Sequence, residues 1–487
     1  MSFQSEISKN KSFANILLVT VLIGLVLLIT FAIAKTGELT AVFMMSAIIG
    51  LAVFTCCILF PLFGLYLVIA VAFFVNDITR LLDTEATLTL AVDVFTLGTF
   101  LGILFRKVVM REKFLKNCQH PIVFAYMVYA AYTVIQVFNP NVQSMEANLL
   151  IVRKFFVLLL FLYSVIQLFT DMERIKQFFK IWIAIALLTS FYACWQAWFG
   201  MPQYQLNFVM SNPLWVSLYS LDDGDFRKFS FLADPKEFGL LAAATGLITL
   251  IFFLTLKKDR KKEKILLFIA TVIFSLGMSY SGTRTANFML VMGIFMYILM
   301  TISNRKTLIF SSVVAVIFVI VMYGPIYGNT TINRLRTTFD FSKEESLQVR
   351  DINRHNIQPY MQSHPIGGGL GTTGILNLGF NSRHPLAGFP TDSGFLKVAL
   401  ETGWIGLIIQ CIVYFLVLQQ GIHAYYRSKN SYYKKFLLAA TIALFSYVIA
   451  QYAQVAIGQA PGVFLFYGLI AVIIRLPQME KANLSET

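Results

Sequence analysis

Charge is what this sequence has little of. Only 13% of its 487 residues are Asp, Glu, Lys or Arg, against 57% that are hydrophobic; a soluble domain carries about 25% charged and about 45–50% apolar residues. With a mean hydropathy of +0.71, so few charges cannot keep this much aliphatic and aromatic surface in water. A water-soluble globule is excluded. Cysteine is scarce as well: Cys56, Cys57, Cys194 and Cys411 lie in apolar runs and Cys118 in a basic loop. Neither a disulfide framework nor a metal-ligating spacing follows from them. The chain also lacks an internal repeat and any stretch that reads as a soluble catalytic domain. The charge that is present leans basic, with a net of +14. In a soluble chain that excess would point to nucleic acid. Here Lys and Arg cluster between apolar runs, the pattern that sets membrane topology, and no nucleic-acid partner is expected.

What the sequence has in abundance is apolar runs of membrane length, about 20 residues for about 30 Å of hydrocarbon. Fourteen qualify: 14–34, 41–59, 60–75, 86–105, 121–138, 149–169, 179–199, 237–256, 265–281, 285–302, 307–327, 394–419, 436–452 and 454–474. Only Phe60-Pro61 separates the second from the third, and the last two are nearly fused, so an all-α polytopic membrane protein of 12 to 14 spans is expected. The first run, Ala14 to Ala34, is longer than the hydrophobic region of a cleaved signal peptide and reads as an uncleaved span, despite the Ala32-Ile33-Ala34 triplet.

Sidedness can be tested within the sequence. With Lys9 and Lys11 placed in the cytoplasm, alternate loops hold Arg106, Lys107, Arg111, Lys113 and Lys116, then Arg174, Lys176 and Lys180, then the Lys257–Lys264 run. Arg305 and Lys306 follow, then Arg427, Lys429, Lys434 and Lys435, and finally Arg475 and Lys481. The short loops of the other side hold only Lys35 and Arg80. Both termini are therefore expected inside a plasma (inner) membrane. Two outside segments exceed a connector, and loops of that length usually carry function. The expected organisation is N-terminal membrane helices (1–199), an outer loop (200–236), further membrane helices (237–327), a large, partly helical extracytoplasmic loop domain (328–391) and C-terminal membrane helices (392–487).

Cations on the outer side are costly at membrane depth and so worth weighing. Arg227 precedes the eighth span, and Arg284 sits in the tight turn Ser281-Gly282-Thr283-Arg284-Thr285. Arg350 and Arg354 share a helix face in the large loop, while Arg153 and Lys154 lie about one turn inside the sixth span. Guanidinium forks match the oxygens of a phosphate with paired, charge-assisted hydrogen bonds, and preorganised cations stabilise a leaving diphosphate. The bland alternative is that these side chains snorkel to headgroups or pair with loop carboxylates. Asp93 and Glu401, within spans, should face protein or a water-filled cavity, and for either a structural salt bridge, with Arg153 or Lys154, is as reasonable as a substrate role. His384 and Asp392 are candidate proton acceptors by their chemistry, although a loop histidine is more often a surface residue. His364 precedes Pro365 and either serves substrate or caps a helix end. Gly367-Gly368-Gly369-Leu370-Gly371, with Gly369 and Gly371 as its key amides, forms either an anion nest or a plain turn. Asp222-Asp223-Gly224-Asp225 has a spacing that can hold Mg²⁺ or Mn²⁺; an acidic outer loop is the simpler reading, and no metal or other cofactor is expected.

Four segments occur in a characteristic order: Arg227 to Gly239, the turn Ser281 to Ala286, the stretch from Arg350 through His364-Pro365-Ile366-Gly367-Gly368-Gly369-Leu370-Gly371, and Phe395-Leu396-Lys397-Val398-Ala399-Leu400-Glu401-Thr402-Gly403-Trp404-Ile405-Gly406. Together they resemble the O-antigen ligase and O-antigen polymerase superfamily, by motif over about residues 200–420 and by topology over the whole chain. The resemblance implies a GT-C type glycosyltransferase with an extracytoplasmic active site. Its donor would be an undecaprenyl-diphosphate-linked glycan and its acceptor a glycan or a lipid-linked chain, without nucleotide sugar or metal. It also implies that the arginines at positions 227 and 284 bind the diphosphate. Membrane lipids are expected around it, and a chain-length regulator is left open as a further partner. The family's ligases carry a His-Asn pair where this chain has Asp392-Ser393, which moves the expectation from ligase toward polymerase of a cell-surface polysaccharide. A transporter or flippase of lipid-linked oligosaccharide is the alternative; against it stand the missing repeats and the placement of cations near outer loops rather than at the midplane.

Overall fold

A computed structural model describes residues 38–82, 88–221, 224–257, 259–325, 333, 336, 345–374 and 377–486, without the side chains of 38–44, 46, 345–350 and 485–486. The expected first span, 14–34, lies outside the described residues. Each of the other thirteen expected spans corresponds to a helix: α1 Glu38–Leu59, α2 Pro61–Leu81, α3 Leu90–Val109, α4 Pro121–Ile135, α5 Met145–Leu168, α6 Met172–Phe199, α9 Pro235–Thr255, α10 Lys261–Tyr280, α11 Arg284–Thr301, α12 Arg305–Tyr323, α14 Gly394–Arg427, α15 Ser431–Ala453 and α16 Gly462–Glu486. Three more helices lie in the loops: α7 Gln203–Met210, α8 Pro213–Tyr219 and α13 Glu345–Ser363. Among the described residues, eleven helices, counting α4 together with its trailing 3-10 turn, are long and apolar enough to cross a membrane. The chain is an all-α polytopic membrane protein.

Local chemistry sets the helix starts. Proline at the first position opens α2, α4, α8 and α9, where its missing N–H costs no hydrogen bond. Side-chain oxygens of Ser144, Asp171, Asp234, Asn304 and Ser393 accept the free amides of the first turns of α5, α6, α9, α12 and α14. In α3, Asp93, Arg106 and Lys107 interrupt an otherwise apolar span. Burial ranks the helices: α16 buries 89% of its most apolar stretch and α9 and α15 72% each, while α12 buries only 6% and lies at the lipid-facing rim.

Alternation of direction gives the bundle two ends. At one, the basic connectors meet: the Gln167 side chain donates to Lys116 O (2.7 Å), Gln478 to Asn117 O (3.2 Å), Arg475 to Phe169 O (3.0 Å), and the amides of Lys429 and Asn430 to Glu480 (2.8 Å each). At the other end lie the 200–234 segment, the 281–283 turn, the large loop and the 454–461 connector. There Lys228 N donates to Tyr280 O (3.1 Å) and Gly394 N to Gln454 O (3.3 Å), and Gln136 Nε2 donates to Ile366 O (3.1 Å).

Candidate functional site

The segment from Gly224 to Asp234 is held as a plug at the loop end. Arg227 N donates to Tyr219 O (2.8 Å), and the next amide, of Lys228, to Tyr280 O. Lys228 is buried and pairs with Asp225 (2.8 Å). Ser230, fully buried at φ +55°, takes the Gln196 carboxamide oxygen on its amide (3.0 Å) and donates its hydroxyl to Thr189 O (2.6 Å). Beneath this run lies Arg80, its guanidinium between the Phe208 and Phe229 rings at 4.7 Å from each, donating to Ala233 O at 2.6 Å. A buried cation spent on a backbone carbonyl and two ring faces fixes the plug's geometry.

That geometry delivers Arg227 to the α10–α11 turn. Its Nε donates to Ser281 O (2.9 Å) and its Nη2 to Thr283 Oγ1 (2.9 Å), and Nη1 reaches Leu218 O (3.3 Å). Thr283 in turn donates to Pro235 O (3.0 Å) at the start of α9. Arg284, the next residue, is the first of α11 and half-buried. The two arginines that stand 57 positions apart in sequence are thus joined through one turn.

The large loop packs onto α14 where that helix breaks. Gly403 has φ +70° and ψ −171°, which frees the carbonyls before it. Gly368 N donates to Leu400 O (2.8 Å), Gly369 N to Glu401 O (2.9 Å), and Trp404 N to Pro365 O (3.0 Å). Backbone lies on backbone here, and the glycine run is what allows the approach: a Cβ on Gly367 would sit 2.5 Å from Gly403 N. With its amide engaged by a carbonyl, Gly369 acts in packing, against Val142, and Gly371 packs against Ala147 O. Of the two sequence readings, the turn accounts for these contacts and the anion nest does not, because the amides of Gly368 and Gly369 already have acceptors. A small apolar core of Ile357, Leu386 and Leu400 completes the docking.

Behind the break, a cavity of about 180 Å³ opens between α4, α5, α14, α15 and the 455–458 connector. Lys397, Glu401, Gln410 and Gln451 face it among tyrosines. Glu401 accepts from Thr373, and Gln451 receives the amides of Ala456 and Ile457. Lys154 and Lys397 are charge neighbours, while Arg153 takes the alternative of a salt bridge, to Asp93 at 3.2 Å. The 454–461 connector links this cavity to the arginines, since Gln459 Nε2 donates to Asp234 (3.3 Å) while Gly458 lines the cavity. Arg354 docks on the end of α15, with Nη1 on the Tyr452 hydroxyl (3.0 Å) and its plane over the ring at 4.7 Å. The Arg350 side chain and Asp222 and Asp223 lie outside the described residues; Asp225 is paired with Lys228.

The histidines belong to the loop's own fabric. His384 is 5% exposed, and its Nδ1 accepts Leu386 N (3.0 Å). Burial lowers its pKa below the ordinary 6.5, with hydrogen bonding to the Asn141 and Gly368 backbone opposing and the nearby His364 adding to the shift. A neutral ring whose Nδ1 accepts carries its proton on Nε2 and has no lone pair left for a substrate hydroxyl. The Leu386 amide thus engages His384 in the loop's own fold. His364 stacks on Tyr360 at 4.0 Å, with Nδ1 beside Tyr360 O (3.1 Å), and closes the end of α13. Asp392 is half-buried one residue before the cap of α14.

A pH response follows from His384. Its lowered pKa means that the docking it supports is intact above pH 6.5 and is lost as pH falls through the interval below. Limited proteolysis of the loop should accelerate on going from pH 7.5 to pH 5. His384→Asn, which keeps an acceptor for Leu386 N, should flatten that response; an unchanged response would remove His384 as its source.

Lys397, Gln451, Gln459 and Arg80 are the site's residues that sequence reasoning passed over as functional. Lys397 had one available signal, a cation four residues before Glu401 on the same helical face. The others depend on contacts made across the bundle.

Residues 269–411 match the O-antigen ligase family. That stretch runs from within α10, through the Arg284 turn and the large loop, to just beyond the Gly403 break. An O-antigen polymerase from Salmonella muenchen is 30% identical over 202 residues, which is 40% of this chain and 48% of the relative. The similar region thus spans about half the length of that curated relative. The motif order, the helix pattern and both matches agree: the chain is similar to the O-antigen ligase and O-antigen polymerase superfamily.

Proposed function

We propose that the chain is a glycosyltransferase that moves a glycan from a polyprenyl diphosphate, of the undecaprenyl type, to an acceptor hydroxyl at the loop end of the bundle. An oxygen of the acceptor attacks the anomeric carbon, the bond from that carbon to the diphosphate breaks, and the diphosphate leaves with the electron pair. Arg227 and Arg284 hold the diphosphate and neutralise the charge that builds on it. The observation that carries this reading is the Arg227 guanidinium bound to the turn that bears Arg284. Lys397, with Glu401 and Gln451, provides a polar cavity for the sugars, with Lys154 as a charge neighbour of Lys397, and Arg354 holds the loop over it. With His384 enclosed, Asp392 is the remaining candidate to accept the hydroxyl proton. The chemistry asks no metal of these residues, because cations of the chain already face the leaving group.

In this reading the loop end lies outside a plasma membrane and the basic end, with both termini, in the cytoplasm, as the Lys and Arg distribution favours. The product is an extended cell-surface polysaccharide rather than a glycan attached to a lipid core. Support for that choice is the polymerase among the relatives and the Asp392-Ser393 pair in place of His-Asn. A deletion strain tests it through its surface glycan. Loss of polymer with single repeats retained is expected. Lipid-linked polymer accumulating unattached would make the chain a ligase, and translocation of the lipid-linked glycan by purified protein without bond formation would make it a transporter.

A further inference from the structure

The basic end holds a groove that the transfer reaction does not use. It lies between α6, α9, α10 and α15 and has a volume of about 590 Å³, within the range of about 300–1,000 Å³ typical of ligand sites. Its walls are apolar: Phe179, Ile183, Leu187, Leu266, Leu267 and Phe436. From Lys180 to Leu187 on α6, and from Glu263 to Ala270 on α10, the lining continues for seven residues, about 10 Å of helix. At the far side α6 and α10 close together, where a Cβ on Gly277 would lie 3.2 Å from Ser190 Cβ. The groove is therefore open toward the basic end and toward lipid, and Leu266 is 62% exposed along it.

Four cations from two helices and a connector crown this groove: Lys176 and Lys180 of α6, Lys435 of α15 and Arg260 of the connector before α10, against the two carboxylates of Glu173 and Glu263. Those carboxylates are taken by Lys176 (2.9 Å) and Arg260 (3.2 Å). Among the described residues Lys180 and Lys435 make no ion pair, and the charged neighbours of Lys435 are the cations Lys257 and Arg260. Tyr432 lies between Lys176 and Lys435, at 5.1 and 5.8 Å. Like charges gathered from separate elements at the mouth of an apolar slot are mutually repulsive until an anion joins them. Free phosphate would satisfy the rim and leave the slot empty; a neutral lipid would fill the slot and leave the rim charged.

We propose that this groove is a binding site for one anionic phospholipid of the surrounding leaflet, its phosphate held by Lys180, Lys435 and Arg260 and the first part of an acyl chain lying along Ile183, Leu187 and Leu267. Basic pockets between membrane helices bind acidic headgroups in this way, each cation contributing about 1 kcal/mol. The site is distinct from the arginine seat, which lies at the opposite end.

The test uses the full chain in nanodiscs and native mass spectrometry of retained lipid, with phosphatidylglycerol and phosphatidylcholine as probes. Wild type should retain phosphatidylglycerol in preference, and added phosphatidylglycerol should raise its melting temperature. Lys180→Ala/Lys435→Ala should weaken retention about tenfold or more, while Lys113→Ala/Arg305→Ala, which removes the same charge from the same end away from the groove, should not. Ala184→Trp fills the slot and leaves the rim intact, and should also release the lipid. Equal retention of both lipids, equal loss in the control variant, or full retention in Ala184→Trp would overturn the proposal. Inorganic phosphate should give no comparable stabilisation; if it does, the acyl half of the site is refuted.

Discussion

Arg284→Ala is expected to lower transfer from a lipid-linked donor by about 10²–10³-fold, the usual cost of removing one preorganised donor to developing negative charge. Arg284 begins α11 beside the turn, and its backbone role survives the change. Arg227→Ala should match or exceed that loss and also lower stability, because its guanidinium bonds Ser281 O, Leu218 O and Thr283 Oγ1. Arg227→Lys keeps the charge but cannot span three acceptors with one ammonium, and should recover only a small part of the rate. Steady-state transfer in proteoliposomes, read beside a thermal unfolding curve, separates the two roles. Wild-type kcat/KM in Arg284→Ala would remove that residue from the reaction.

Gly403→Ala is the second large effect. At φ +70° and ψ −171° the backbone is in a region open almost only to glycine, and a built Cβ overlaps the Pro365 carbonyl oxygen. Strain of about 1–3 kcal/mol and overpacking of about 1–3 kcal/mol add at a point where relief means separating the loop from α14. The expected phenotype is a folded bundle with an undocked large loop: rapid proteolysis between α13 and α14, loss of transfer, and a melting transition of the membrane helices that moves far less. Wild-type protease resistance in this variant would mean that the break is not what holds the loop.

The spans were legible because the bilayer imposes a length and a composition on each of them, and the Phe60-Pro61 boundary between α1 and α2 falls where proline dictates. The sharing of an end by the basic loops was legible for the same reason: each helix reverses direction, so a run of Lys and Arg reappears every second connector. The seating of Arg227 on the Ser281–Thr283 turn was only half legible. Motif order brought segment and turn to attention, but their contact depends on Tyr219, Tyr280 and Arg80 pinning a loop with no periodicity of its own. The burial of His384 was not legible, because what an imidazole's two nitrogens touch, here the Leu386 amide, depends on the folded loop. The glycine run was read as nest or turn because sequence does not show that a later helix breaks, at Gly403, to receive it. The cavity of Lys397, Glu401 and Gln451 draws on helices far apart in sequence and left almost no local trace.

The central claim is that Arg227 and Arg284 form one seat for a lipid diphosphate. Equilibrium binding of undecaprenyl diphosphate to the purified protein in nanodiscs, with no glycan to obscure the contact, tests it most directly. Wild type is expected to bind saturably, Arg284→Ala and Arg227→Lys at least tenfold more weakly, and the double variant no worse than the weaker single one, because the two side chains grip one anion. Unchanged affinity in both single variants would contradict the account.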